Sequence, residues 1–125
     1  MQTTATTASI IRQQITPGVL MSLGAHKLGH YTDEQGQQAL VFLARVLPFN
    51  VNGQRAERPR LMRVMVTLNG ADTYDIAVDY RRGHKTVRHF YAQGIYADQL
   101  PHTLLAVDSD SDLEEASIHH QNRVL

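Results

Sequence analysis

Residues 59–91 alternate apolar and polar side chains in three successive stretches, and that period of two confines the chain to a small antiparallel sheet with one core face. In 61–68, Met62, Val64, Val66 and Leu68 point one way, while Arg63 and Thr67 point the other. In 73–80, Tyr74, Ile76, Val78 and Tyr80 share a face opposite Asp75 and Asp79. In 85–91, Val87, His89 and Tyr91 share a face opposite Arg88.

The two intervening turns can be tested against this pattern. A two-residue hairpin at Asn69-Gly70 would put Met62, Val64 and Val66 on the face of Asp75 and Asp79, because a one-residue slip moves a whole side-chain set across the sheet. An odd loop restores the match, so a three-residue loop is expected: a type I turn with a G1 bulge, Gly70 left-handed, and Tyr74 opposite Val64 or Val66. Gly83-His84 behaves differently. A two-residue turn there pairs Arg82 with Lys85, Asp79 with Arg88 and Val78 with His89, and the apolar faces agree.

Upstream, Ile11, Ile15, Val19 and Leu23 recur every fourth residue, the spacing of one helical stripe, but Pro17 interrupts it. A kinked helix over 9–23 is one solution. The preferred one is a short helix followed by a second, with Thr16 as N-cap, Pro17 in the first turn and Gly24 as the left-handed stop. A weak strand is expected at 27–32, a turn at 33–36, and a strand buried on both faces at 39–46 (ALVFLARV). Residues 47–58 carry Pro48 and Asn50-x-Asn52-Gly53 with no period, and read as a loop. In 95–107, Tyr96, Leu100, Leu104 and Val107 mark a helical face, with Asp98 as the expected N-cap because Pro101 is tolerable only in a first turn.

These elements sum to an α+β fold: an N-terminal helix, an antiparallel meander of four to five strands and a C-terminal helix, with the helices on one face of the sheet. Residues 1–107 read as a single domain with a frayed start at 1–9, and 108–125 as a mobile acidic polar tail. Net charge is zero over the 125 residues, yet five of the twelve acids, Asp108, Asp110, Asp112, Glu114 and Glu115, lie in one late run. The body before them holds 11 Lys and Arg against 7 Asp and Glu, a net of +4.

Composition excludes several chemistries. With no cysteine there is no disulfide, thiolate zinc site or thiol catalysis. No leader pattern opens the chain, and no apolar run approaches the ~20 residues of a membrane helix, so a cytoplasmic protein without membrane contact is expected. His26 and His30 have the i, i+4 spacing of helical ligands, but Gly24 and Gly29 oppose a helix, and in a strand that spacing is about 13 Å. The same distance separates Asp75 from Asp79, too far for a carboxylate dyad. No nucleophile motif, phosphate loop or dinucleotide fingerprint occurs, so neither catalysis nor a cofactor is expected.

Two surfaces remain. The second sheet face, read as Leu61, Arg63, Met65, Ala77, Arg88 and Phe90, is too apolar for a solvated face and suits a protein partner or self-association. Arg55, Arg58, Arg60, Arg81, Arg82 and Lys85, on the 47–58 segment and around the Gly83 hairpin, could follow phosphates. The short strings LGAHKL (23–28), VTLNGADTYDI (66–76) and IYADQL (95–100) resemble a group of small uncharacterised proteins of phages and other mobile elements. That resemblance implies an accessory protein that binds a macromolecule, and no particular activity. The helix–three-strand–helix order also resembles double-stranded RNA-binding domains, although their basic motif at the second helix is absent here. The first expectation is therefore a non-enzymatic protein-binding module, homodimeric through the second sheet face. The alternative is a nucleic-acid binder, and the third a small-ligand pocket near Tyr74, Tyr80, His89 and Tyr91.

Overall fold

The computed structural model describes residues 6–108. In chain order these are α1 (Thr7–Ile15), α2 (Pro17–Ser22), β1 (His26–Thr32), β2 (Gln38–Val46), β3 (Arg60–Leu68), β4 (Tyr74–Arg82), β5 (Lys85–Ile95), a 3₁₀ turn (Ala97–Gln99) and α3 (Leu100–Leu105). The strands form one antiparallel sheet in sequential order, a five-stranded meander. Of the expected frayed start at 1–9, residues 1–5 lie outside the described residues, whereas Thr6 caps α1 and residues 7–9 form its first turn with Ala8 buried. The expected tail beyond Asp108 also lies outside the described residues. Asp108 itself belongs to the body, where its carboxylate accepts the Leu47 N–H at 2.9 Å.

The N-terminal stripe is two helices. Thr16 closes α1 and caps α2, its hydroxyl accepting from the Val19 N–H at 3.5 Å, and Pro17 occupies the first turn. Gly24, at φ 64, ends α2: its N–H reaches Met21 O, and the Ala25 N–H reaches Leu20 O, a Schellman closure. At the other end a 3₁₀ turn takes the place of the expected Asp98 cap, Pro101 follows at the start of α3, and Tyr96 is exposed rather than on the buried face.

One core serves the whole body. Ile11, Ile15, Leu20, Leu100 and Leu104 from the helices meet Leu40, Phe42, Met62, Val64, Val66, Ile76, Val78, Phe90 and Ile95 from the sheet. All three described helices thus cover one face, and among the described residues the other lies open. β2 is accordingly buried on one face only. Leu40, Phe42, Ala44 and Val46 are inside, whereas on the other face Ala39 is buried but Val41 and Leu43 are only half-buried and Arg45 is exposed, so the expected double burial holds at Ala39 alone. Strand β2 has no helix behind it on that side.

Three of the chain's turns are built alike. In each, an Asx residue pairs with a residue four positions later, and its side-chain oxygen accepts the N–H groups of the second and fourth following residues: Asp33 with Gln35 and Gln37, Asn50 with Asn52 and Gln54, Asn69 with Ala71 and Thr73. The residue before closure is left-handed, namely Gly36, Gly53 and Asp72. The third case corrects the expectation at Asn69. The odd loop with its bulge is present, but the left-handed residue is Asp72 at φ 62, not Gly70, and Tyr74 stands opposite Leu68. Aspartate tolerates that conformation better than most side chains. The second case turns residues 47–58 from a plain loop into a small hairpin, with Phe49 bridging Arg55 and the Ala56 N–H on Pro48 O at 2.7 Å.

The β4–β5 hairpin holds the largest departure. Its two-residue turn and the pairs Arg82 with Lys85 and Asp79 with Arg88 are as expected. The register then shifts, so that Val78 faces Phe90 instead of His89. His89 is the extra residue of a β-bulge, which the alternation of Val87, His89 and Tyr91 disguises. After the bulge the faces exchange: Phe90 and Ala92 enter the core, and Tyr91 joins the open face opposite Ala77.

Candidate functional site

Cross-strand registers arrange the open face in rows. Arg45 stands opposite Leu61; Leu43, Arg63, Asp79 and Arg88 form the next row; Val41, Met65, Ala77 and Tyr91 the one after; Ala39, Thr67 and Asp75 the last, with Tyr31 beside Ala39. Arg81, opposite Thr86, extends the first row toward the hairpin tip. Of the residues expected here, Leu61, Arg63, Met65, Ala77 and Arg88 are in place. Phe90 is not, because the bulge at His89 turns it inward, where it is 8% exposed. Tyr91, Tyr31 and Arg45 take part instead. Tyr91 could not be assigned without the bulge, and Tyr31 and Arg45 required the pairing of β1 and β2.

Aspartate 79 organises the centre of this surface. It is 7% exposed, a burial that an ionised carboxylate tolerates only when paired. Arg88 Nε donates to its Oδ1, and Arg63 Nη2 lies 3.7 Å from its Oδ2. Arg88 in turn lies over the Tyr91 ring, 5.1 Å from the centroid, a cation–π contact. Both arginine side chains stay half-exposed, 53% for Arg63 and 52% for Arg88. Asp75, the other acid on this face, is occupied by the Asn69 side-chain amide at 2.9 Å and the Gly94 N–H at 3.1 Å. Open grooves run between these residues, one lined by Tyr31, Val41, Met65 and Arg63, another by Leu61, Arg63, Asp79 and Arg81.

The six basic residues expected to touch nucleic acid divide into two groups. Arg58, Arg60, Arg81, Arg82 and Lys85 are exposed. Arg60 reaches the Arg81 carbonyl at 3.0 Å and lies over Tyr80, so the start of β3 and the end of β4 present their charges together. Arg55 is held elsewhere. Its Nη1 donates to Leu47 O at 2.6 Å, and its guanidinium lies 4.5 Å from the Phe49 centroid, so it braces the small hairpin. Phe49 stacks on His89 at 5.1 Å, and His89 Nε2 sits 3.3 Å from both Arg55 Nη1 and Val107 O. Burial pushes the His89 imidazole below its ordinary pKa, and Arg55 adds to that, against the opposing Val107 carbonyl and Asp108. The bulge residue therefore locks the 47–58 hairpin and the C-terminal end of α3 to the sheet.

The aromatic pocket expected around Tyr74, Tyr80, His89 and Tyr91 does not form. Tyr74 is buried on the helix side, where its hydroxyl donates to Gln14, and Tyr91 lies on the opposite face. Among the described residues no group of three or more His, Asp or Glu side chains could hold a metal ion, and no helix is long and apolar enough to cross a membrane. Compared with family models, curated proteins and solved structures, the chain matched none.

Proposed function

We propose that this protein binds nucleic acid along the open face of its sheet and the basic β4–β5 tip. The observation that carries the reading is the charge of that surface. Arg45, Arg63, Arg81 and Arg88 project from four adjacent strands, β2 to β5, Arg82 and Lys85 continue them at the tip, and the acids between them are already paired. The loss of Phe90 to the core moves the balance from an apolar partner toward an anionic one. The proteins of mobile elements that the sequence resembles suit such a role, since accessory proteins of that kind act by binding macromolecules.

Fluorescence anisotropy of labelled single- and double-stranded DNA and RNA, titrated over a range of salt, tests the proposal. Non-specific affinity of about 10⁻⁴ to 10⁻⁶ M is expected, weakening steeply with salt as counterions are released. Replacing Arg63 and Arg81 together by glutamine should lower the salt slope by about 1 to 2. Unchanged anisotropy at low salt with all four probes would overturn it.

A second reading is a protein interface on the same face, favoured by Leu61, which is 49% exposed beside half-buried Leu43 and Met65. Sedimentation velocity decides it: a dimer that Leu61→Asp dissociates supports the reading, and a monomer at all concentrations removes its homodimeric form.

A further inference from the structure

We infer that the Arg88 guanidinium is a stacking platform for an unpaired nucleobase, with Asp79 as its positioning residue, which makes the ligand of the open face single-stranded nucleic acid; this rests on the nucleic-acid reading above. An exposed arginine normally samples many rotamers and acts as a diffuse charge. Arg88 is constrained twice. Asp79 takes Nε along the edge of the group, and the Tyr91 ring lies beneath it, 5.1 Å from centroid to Cζ. Those two contacts fix the direction of the guanidinium plane, while a side chain 52% exposed leaves its outer surface to solvent. A preset planar cation facing solvent is a surface on which a base stacks at little further entropic cost.

Its surroundings select the class of ligand. Arg63 lies across Asp79, and Arg45 and Arg81 lie one row toward the tip, placed to meet phosphates on either side of a stacked base. Duplex DNA and RNA bury their base faces and offer only phosphates and groove edges, so a platform contributes nothing to their binding. Only an unpaired strand presents a π-face to Arg88.

The inference makes a prediction opposite in sign to plain electrostatics. Asp79→Asn removes a negative charge from between two arginines, so on a merely basic surface it strengthens binding. If Asp79 orients the platform, the same change weakens binding of single-stranded oligonucleotides, by about tenfold for the loss of one stacked base. Arg88→Lys keeps the charge and removes the plane, and it too should lose about tenfold. Because Arg88 is half-exposed, this variant tests the platform even where Asp79→Asn fails to fold, which thermal unfolding reports. Arg12→Lys, in α1 on the helix-covered side of the sheet, is the control and should stay within about twofold. An oligonucleotide with abasic positions separates stacking from a structural effect: on it, wild type and Arg88→Lys should bind equally.

Tighter binding by Asp79→Asn, an unchanged affinity for Arg88→Lys, or equal affinity of wild type for single strand and duplex would each overturn the platform while leaving the nucleic-acid reading intact. Failure of wild type to bind any oligonucleotide would overturn both, and accompanying dimerisation would assign the face to a second copy of the chain.

Discussion

Phe90→Ala measures the consequence of the bulge at His89. In a regular strand alternating from Arg88, Phe90 would project from the open face, and its truncation would change stability by less than about 1 kcal/mol, as for most exposed positions. In the observed register it faces Val78, belongs to the helix-covered core and is 8% exposed. Removing a buried phenyl ring forfeits its transfer free energy and leaves a cavity, a combined loss of about 3–5 kcal/mol. Phe90 sits on an edge strand where neighbours can relax inward, so the lower end, about 3 kcal/mol, applies. That is a large part of the ~5–15 kcal/mol that holds a domain folded, and corresponds to a fall in Tm of roughly 10–20 °C. Urea unfolding followed by circular dichroism gives the number directly, with an unchanged m-value showing that only the midpoint has moved. Tyr91→Ala is the paired control, expected to cost only about 1 kcal/mol since Tyr91 is half-buried on the open face. A loss below about 1 kcal/mol for Phe90→Ala, or a larger loss for Tyr91→Ala, would refute the exchange of faces.

Three other outcomes follow from particular contacts. Asp72→Gly should raise stability by about 0.5–1 kcal/mol by relieving its left-handed backbone, whereas Gly70→Ala should shift it by less than about 0.5 kcal/mol, because Gly70 is not at positive φ and has open space around it; differential scanning calorimetry of the pair locates the bulge residue. Asn69→Ala should cost about 1–3 kcal/mol in urea, since it strands the Ala71 and Thr73 N–H groups and removes a donor from Asp75. His89, whose pKa is held below the ordinary 6.5, stays neutral in the folded chain while the unfolded chain takes up a proton. Its contribution is complete above about pH 6.5 and lost as pH falls from there through the depressed value, and His89→Gln should flatten this part of the urea midpoint profile between about pH 7.5 and 5.

Most of the elements could be read from local pattern, and each miss has a local reason. The stripe of Ile11, Ile15, Val19 and Leu23 broken at Pro17 gave two helices, and Gly24 closed the second because the backbone there requires a left-handed residue. The odd loop at Asn69 was legible since the facing strands demand it, but which residue would carry the bulge was not: Gly70 advertises the left-handed conformation, while the Asn69 side chain fixes the turn that puts Asp72 there. Residues 47–58 have no apolar period because their hairpin is held by the Asn50 side chain, by Arg55 over Phe49 and by His89, a partner distant in sequence. Of the candidate surfaces, the basic residues near the tip were visible as charges. The open face was visible through Leu61, Arg63 and Met65 of β3 with Ala77 and Arg88, but not through Tyr31, Arg45 and Tyr91.

The sequence by itself determined the period of the strands, the two helices at the start, the Gly83-His84 hairpin and the basic body, since these depend on neighbours within a few residues. Only the tertiary structure decided the rest. One extra residue at His89 exchanges the faces of β5, sends Phe90 inward and brings Tyr91 beneath Arg88. A bulge leaves almost no trace in composition, because its stabilising contacts are with Phe49 and Arg55 of the 47–58 hairpin and with Val107, two segments distant in sequence. The same long-range packing, with every helix on one side, leaves bare the face on which Asp79 sets its two arginines.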